Sequence, residues 1–285
     1  MNYVLAISGG VDSVVLLDMA SESREEAAIG RFIIAHFDHG IRTESNEDAE
    51  LVRKLAEQYG LPFELRRARL GHDVSEEEAR VARYEFLRSV QKKYAPAKIV
   101  TAHHQDDLIE TIVINLIRGT GWRGLAPMNA RLERPLLEMS KAEIVRYAIE
   151  NQLDWAEDQT NYTHKYFRNR VRGFLLKMTP EQRAELLKLN AKQRILRREI
   201  EKILSKIKRS ETIDGKYLLG LAPNVAHEVL RVWTRGKLTA PQLKSLLKKL
   251  GRAKSGDLLQ SGGGVQIGVY RDQFTISRLK TLAKR

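Results

Sequence analysis

Apolar and polar positions follow two distinct patterns along the first 120 residues of the chain. Four short apolar runs, at 3–7, 31–40, 62–65 and 98–104, predict strands. Apolar residues recur at helical spacing after the first run and over 45–59, 75–94 and 105–117. Strands that alternate with helices of this length predict an α/β fold with a doubly wound, Rossmann-like parallel sheet.

Helical spacing dominates the second half of the chain. A long helix is predicted over 180–209, and shorter helices over 224–234 and 239–250. Two alternating runs, Val265–Tyr270 and Gln273–Ser277, predict a hairpin close to the C-terminal end. We therefore expect a first domain over 1–179 and a second, smaller, mainly helical domain over 180–285 that ends in this hairpin.

Composition narrows the class of protein. The chain has 285 residues, of which 42% are hydrophobic and 30% charged, as is typical of a globular protein with two domains. It has no cysteine, which excludes disulfides, zinc–thiolate sites and sulfur chemistry carried by cysteine. No apolar run approaches the length of a membrane span, and no basic leader precedes the first strand. We expect a cytoplasmic protein that does not contact membranes.

The distribution of charge divides the chain more sharply than its formal net charge of +13. Residues 180–285 contain 24 basic and 9 acidic residues, whereas residues 1–179 contain 25 and 27. The whole basic excess is therefore C-terminal. This asymmetry predicts chemistry in the first domain and binding of nucleic acid in the second.

The first strand ends in the segment S-G-G-V-D-S, residues 8–13, at the predicted start of a helix. Its glycines let the backbone approach a ligand closely, and free N–H groups at a helix start bind anions. Asp12 would repel a phosphate unless a bridging Mg²⁺ lay between them. The spacing matches neither the Walker pattern nor the dinucleotide-binding pattern.

A second polar cluster follows the fourth predicted strand. Asp107 and Glu110 share one face at the start of a helix, directly after a histidine pair. A metal cluster with His36 and His39 is disfavoured because no H-x-x-x-H or H-E-x-x-H spacing occurs. On another predicted helix, the guanidinium groups of Arg80 and Arg83 share a face and would suit a phosphate or a developing oxyanion. Ordinary helix capping and surface ion pairs are the alternatives for these charges.

Several motifs occur together and in order over about residues 3–172. They are S-G-G-V-D-S, H-F-D-H-G-I-R, E-E-A-R-x-x-R-Y-x-F-L, T-A-H-H-x-D-D-x-x-E-T, R-G-T-G-x-x-G-L, R-P-L-L, and W-x-E-D-x-T-N with a following R-N-x-x-R. The set resembles the bacterial tRNA(Ile)-lysidine synthetases, a family of N-type ATP pyrophosphatases with the adenine nucleotide α-hydrolase type of fold. The basic region beyond residue 179 resembles the small tRNA-binding domain of that family only loosely.

The resemblance implies a two-step reaction that uses ATP and Mg²⁺. ATP adenylates the C2 oxygen of the wobble cytidine of a tRNA(Ile) precursor with the anticodon CAU. The ε-amine of free L-lysine then attacks C2 and expels AMP, which forms lysidine and changes decoding from AUG to AUA. The resemblance also allows a homodimer.

The same resemblance assigns roles to individual residues, with Asp12 as the metal ligand. The implied ATP-binding residues are Ser8, Gly9, Gly10, Val11, Asp12, Ser13, His36, Phe37 and His104. The implied catalytic residues are Asp12, Arg83, Asp107 and Glu110. The implied substrate contacts are Arg80, Arg83, Asp107, Glu110, Arg118, Gly119 and Gly121, with the acidic pair holding the ammonium group of lysine.

Other functions within and beyond this superfamily are less consistent with the sequence. A self-sufficient tRNA thiolase needs cysteines, and asparagine and GMP synthetases need a glutamine-hydrolysing domain that we do not find. A catalytically silent, ATP-bound tRNA-binding module is the alternative from another class. The presence of Asp12 and of the acidic pair argues against it.

Overall fold

A computed structural model describes residues 1–26, 31–40, 45–68, 74–128, 132–156 and 167–278. Parts of two predicted motifs, 41–42 and 157–161, lie outside these residues. The chain divides into two compact units, Met1–Gln193 and Arg194–Arg285. The division lies within the long helix Pro180–Arg209, whereas the domain boundary predicted from the sequence lies at the start of that helix.

The first unit contains a parallel sheet and the helices that connect its strands. Its strands are β1 (Asn2–Ala6), β2 (Phe32–Asp38), β3 (Phe63–Arg67) and β4 (Ala97–Thr101). Its helices are α1 (Val11–Glu26), α2 (Ser45–Gln58), α3 (Glu76–Lys93), α4 (Gln105–Ile117), α5 (Lys141–Glu150), α6 (Phe167–Leu175) and the first part of α7 (Pro180–Arg209). Short 3₁₀ helices cover Gly121–Leu125 and Pro135–Glu138. The predicted order of alternating strands and helices is confirmed.

The strand order β3-β2-β1-β4 creates a switch point between β1 and β4. The chain winds outward from β1 through β2 to β3, then crosses back to pair β4 with the other edge of β1. Loops on either side of such a switch point diverge and leave a crevice at the carboxyl ends of the strands. The loop at 8–13 follows β1 and the histidine pair follows β4, so both predicted clusters flank this crevice.

Alternate strand residues supply two separate apolar layers, because successive side chains of a strand point to opposite faces. On one face Leu5 and Ile34 pack with residues of α1, α2 and α5, including the fully buried Ile144. On the other face Val4 and Ile33 pack against α3. Helices therefore cover both faces of the sheet, as a doubly wound fold requires.

The second unit joins helices to an antiparallel sheet with its own core. It contains the last part of α7, β5 (Thr212–Asp214), α8 (Gly215–Gly220), α9 (Pro223–Trp233), α10 (Ala240–Leu250), β6 (Leu258–Ser261), β7 (Val265–Tyr270) and β8 (Gln273–Arg278). The strand order is β5-β8-β7-β6, and the predicted hairpin is its central β7–β8 pair. Trp233 and Ile267 are among the buried side chains around which this unit packs.

Candidate active site

The loop at 8–13 is folded around one buried hydroxyl group. The Ser13 Oγ accepts hydrogen bonds from the N–H groups of Ser8 and Gly9, at 3.1 and 3.2 Å, and donates to the Gly10 carbonyl at 2.8 Å. Gly9 has φ of 95°, which side chains rarely adopt, so glycine is needed there for its backbone conformation. Ser13 thus holds the loop in a tight turn at the start of α1.

Asp12 lies on this loop and forms an ion pair with Lys141, the first residue of α5. The Lys141 Nζ lies 2.5 Å from the Asp12 Oδ1, and the His104 Nε2 lies 3.9 Å from the Asp12 Oδ2. Lys141 follows the 3₁₀ helix Pro135–Glu138, so the contact joins the loop after β1 to the start of α5. The predicted metal ligand therefore has a lysine as its neighbour in this structure.

Asp106 is held by two further groups at the start of α4. The Lys141 N–H donates to its Oδ2 at 2.8 Å, and the Arg183 guanidinium lies 2.5 Å from its Oδ1. Burial alone would raise the pKa of Asp106, but these two donors outweigh it and hold that pKa below its usual value. Asp106 is thus a fixed anion that ties α4 to α5 and α7.

Glu110 and Asp107 lie on one face of α4, as the spacing predicts, but their surroundings differ. The Glu110 side chain is only 4% exposed, and its two oxygens accept from Arg168 and Arg172 of α6 at 2.5 and 2.6 Å. The Asp107 side chain is 24% exposed and lies 3.5 Å from the His104 Nε2 and 3.9 Å from the Arg172 Nη2. Glu110 is therefore the anchored acid and Asp107 the more accessible one.

Three arginines, Arg134, Arg80 and Arg83, act electrostatically on the buried His103. Burial is the largest cause, and together with the charges of Arg134, Arg80 and Arg83 it lowers the pKa of His103 to about 4, against the attraction of Asp107. The imidazole is therefore neutral at pH 7, with its Nδ1 2.7 Å from the Thr101 Oγ1. Arg80 and Arg83 therefore act on the same histidine as Asp107 of the acidic cluster.

Two further predicted residues, His36 and Phe37, belong to strand β2. His36 is buried, and its Nδ1 lies 2.9 Å from the Ile7 carbonyl, so it supports the strand that leads into the loop. Burial lowers the pKa of this histidine as well. The Phe37 ring packs in the core against Phe86, with ring centres 5.9 Å apart, which leaves only its main chain for the predicted ATP contact.

The predicted substrate contacts at Arg118, Gly119 and Gly121 are not brought together with the others. They follow the last residue of α4, whereas the acidic cluster lies in its first two turns. At a rise of about 1.5 Å per residue, the 11 residues from Asp107 to Arg118 place these contacts roughly 16 Å from Asp107 along the helix axis.

Sequence reasoning missed several charged residues of this site. Lys141 and Arg183 were assigned no role, although each contacts a carboxylate of the cluster. Arg134 belongs to the R-P-L-L motif. It comes close to His103 because the neighbouring residue, Glu133, forms a β-bridge with Val100 of β4. Arg168 and Arg172 belong to the R-N-x-x-R motif, whose spacing over one helical turn was the available signal for a shared partner.

A comparison with protein families matches residues 1–179 to the PP-loop domain. The matched region contains the loop at 8–13 and nearly all of the charged residues described above. The chain belongs to the PP-loop family.

Curated relatives of this PP-loop protein match about three fifths of the chain. The tRNA(Ile)-lysidine synthase of Thermotoga maritima is 37% identical over 189 residues, which are 63% of this chain and 45% of the relative. The tRNA(Ile)-lysidine synthase of Solibacter usitatus is 39% identical over 179 residues, 60% of this chain and 39% of that one. The chain therefore matches less than half the length of these relatives.

A solved structure supports the fold. The U34-tRNA thiolase NcsA from Methanococcus maripaludis, with its [4Fe-4S] cluster, superposes with a TM-score of 0.59 over 69% of this chain and 72% of that one. The two are 18% identical, so the likeness concerns the fold alone. Among the described helices, none is both long and apolar enough to cross a membrane.

The loop at 8–13 suits the phosphates of the ATP that a PP-loop protein uses. Asp12 suits a Mg²⁺ ion that is bound jointly by the protein and these phosphates. Within the described part of the chain, no three His, Cys, Asp or Glu side chains could hold a metal ion by themselves. Mg²⁺ is commonly bound by one or two carboxylates together with substrate phosphates. Asp12 fits this mode, and the metal would neutralise charge on the phosphates there.

Proposed function

We propose that this chain ligates L-lysine to C2 of the wobble cytidine of a tRNA(Ile) precursor with the anticodon CAU. The cytidine is first adenylated by ATP, and the product is lysidine, which decodes AUA instead of AUG. The observation that carries the proposal is the acidic cluster of α4, opposite the loop at 8–13, in a region 36–39% identical to relatives named tRNA(Ile)-lysidine synthase.

In the first step the loop at 8–13 and Asp12 hold the phosphates of ATP. The C2 oxygen of cytidine bonds to the α-phosphorus, and the bond from that phosphorus to the leaving pyrophosphate breaks. Arg80 and Arg83, which lie near the neutral His103, offset the charge that develops around the base and the α-phosphate. Because His103 carries no positive charge at pH 7, the arginines supply the positive charge for this step.

In the second step the two acids of the pair, Glu110 and Asp107, have different roles. Glu110 orients the site through Arg168 and Arg172, whereas Asp107 holds the ammonium group of lysine and accepts one of its protons. The free amine forms a bond to C2, and the bond from C2 to the oxygen of AMP breaks. Asp107 is the better acceptor because it is more exposed and its ion-pair contacts are longer than those of Glu110.

We further propose that residues 180–285 supply most of the affinity for tRNA through phosphate contacts, since all of the basic excess lies there. A tRNA substrate implies the cytoplasm. A homodimer is part of the same proposal, and sedimentation of the chain with and without tRNA would test it.

The proposed reaction is tested by incubating the full chain with a tRNA(Ile) transcript, ATP, Mg²⁺ and labelled lysine, followed by mass analysis of nuclease digests. We expect label and the mass of lysidine at the wobble position, with one AMP and one pyrophosphate released per modified tRNA. A transcript with uridine at that position is the matched control and should stay unlabelled. A chain that binds ATP and tRNA yet transfers no lysine would support the silent binding module instead.

A further inference from the structure

Lys141 is bound on two sides by the carboxylates that flank the crevice. Its ammonium group contacts Asp12 of the loop at 2.5 Å, and its own N–H donates to Asp106 of α4 at 2.8 Å. The helix start that carries it is fixed by a capping box between Ser140 and Glu143. Lys141 is thus held both by the loop that follows β1 and by the start of α4, which follows β4.

The two contacts of Lys141 differ in permanence. Asp106 accepts from a backbone group and is also paired with Arg183, so that contact belongs to the framework. The Lys141 side chain is 44% exposed and lines an open groove together with Arg146 and Arg183, so its ammonium group can reorient without unpacking α5. The contact with Asp106 fixes the main chain of Lys141, whereas the ammonium group at the end of its side chain can move.

Asp12 is also the carboxylate that would hold Mg²⁺, so the lysine and the metal ion compete for the same group. An ammonium group this close to the loop has a second natural acceptor in a phosphate oxygen of bound nucleotide. We propose that Lys141 is a phosphate-binding residue of this ATP site. It holds Asp12 when no nucleotide is bound and donates to the leaving pyrophosphate when ATP is bound. This inference rests on the proposed function for the identity of the reaction.

The chemical consequence is charge neutralisation on the leaving group. When the bond between the α-phosphorus and the bridging oxygen breaks, its electron pair stays on pyrophosphate. A lysine cation beside that oxygen stabilises it without transferring a proton. Lys141 thus acts with the loop N–H groups on the side of the crevice where negative charge increases.

The test measures binding of inorganic pyrophosphate to the full chain by calorimetry in the presence of MgCl₂. We expect Lys141→Met to weaken binding at least about tenfold, because a charged hydrogen bond is lost, and Lys141→Arg to stay within about threefold, because the cation is kept. Lys98→Met is the matched control, since the Lys98 Nζ lies 2.7 Å from the Glu133 Oε1 on the same unit. That control should bind pyrophosphate like the parent.

The melting temperature of each variant shows whether it is folded. Weaker pyrophosphate binding by a folded Lys141→Met variant then means that a phosphate ligand was lost, and not only a partner of Asp12. A folded Lys141→Met variant that binds pyrophosphate as tightly as the parent overturns the inference. If the parent binds pyrophosphate through Lys141 but forms no lysidine, only the proposed function fails. If lysidine forms and Lys141→Met changes neither pyrophosphate affinity nor the maximal rate of pyrophosphate release, only this inference fails.

Discussion

The two units of this chain use charge in opposite ways. In the first unit acids and bases converge at the strand ends and are matched in pairs, such as Asp106 with Arg183 and Glu110 with Arg168. In the second unit the basic residues of α10 lie on its exposed face, while Leu243 and Leu246 of the same helix are buried. Paired, partly buried charges have fixed directions and suit chemistry, whereas exposed like charges suit binding of a polyanion without fixed geometry.

The comparison predicts different responses to mutation. A change at a paired charge in the first unit affects a particular step, because its partner is left without a fixed neighbour. A change at an exposed charge in the second unit alters affinity in proportion to the charge removed, and salt has the same effect.

Asp12→Ala should have the largest effect on activity. It removes the carboxylate that serves Mg²⁺ and Lys141, and we expect release of pyrophosphate to fall at least about 10²–10³-fold, as when one group that stabilises a transition state is removed. The fold should persist because Lys141 is exposed enough to be solvated. Rates of pyrophosphate release measured beside melting curves test this, with the exposed Asp154→Ala as control. A parental rate for Asp12→Ala would contradict the assignment of Asp12.

The acid sensitivity of the first unit should depend on His103. Its pKa is near 6.5 in the unfolded chain and about 4 in the folded one, so only the unfolded chain takes up this proton between those pH values. Stability from this residue is complete above pH 6.5 and decreases as the pH falls to 4, by on the order of 3 kcal/mol. Denaturant unfolding at pH 7, 5.5 and 4 should show a smaller loss for His103→Gln. Equal losses in parent and variant would refute the shift.

Substitutions in the acidic pair should separate anchoring from substrate binding. Glu110→Gln leaves Arg168 and Arg172 without their buried carboxylate and should lower the free energy of unfolding by about 1–3 kcal/mol. Asp107→Asn should cost less stability because its contacts are longer and more exposed. Both should raise the KM for lysine more than the KM for ATP, measured by saturation kinetics beside the exposed Glu57→Gln. Equal rises in both KM values would count against a lysine-binding pair.

The elements that could be predicted are those with a strong local signal. The period of apolar residues predicted α7 over 180–209, and it predicted a helix over 75–94, where Ser75 and Glu78 form a capping box at the start of α3. The edge strands β5 and β6 were missed because they span only three and four residues, and Leu258 of β6 is 60% exposed, so neither shows a clear alternation. The predicted fourth strand extended to 104, but β4 ends at Thr101 and His104 is the N-cap of α4.

In the candidate site, too, only the residues with a local sequence signal could be predicted. Asp12 and Asp107 could be predicted because residues that follow parallel strands meet at one edge of the sheet. Their neighbours could not, since the contact of Asp12 with Lys141 spans 129 residues and that of Asp106 with Arg183 spans 77. Such pairs are decided by how α5 and α7 pack, and no local pattern encodes that.

The smallest but most general effect should be on tRNA affinity. Replacing Lys244, Lys248 and Lys249 of α10 with glutamate leaves the buried face of that helix intact, since these three residues are exposed. If they bind phosphates, affinity at a fixed salt concentration should fall about tenfold or more, and the log–log salt slope should shrink by about 0.7–0.9 for each phosphate that is no longer neutralised. Filter binding of tRNA between 50 and 200 mM salt measures both quantities.

Variants of the full chain are the right material for this test, because Arg183 and Asn190 of α7 bind Asp106 and the Leu125 carbonyl in the first unit. A chain cut at Thr179 would lack both of these bonds and confuse damage to the site with loss of charge. The matched control places glutamate at Lys54, Arg88 and Lys92, which are exposed on α2 and α3 of the first unit. It removes the same charge from the chain and should retain most of the affinity and nearly all of the slope. Equal losses in the two triple variants would mean that net charge alone attracts tRNA, and that the second unit has no special part in binding it.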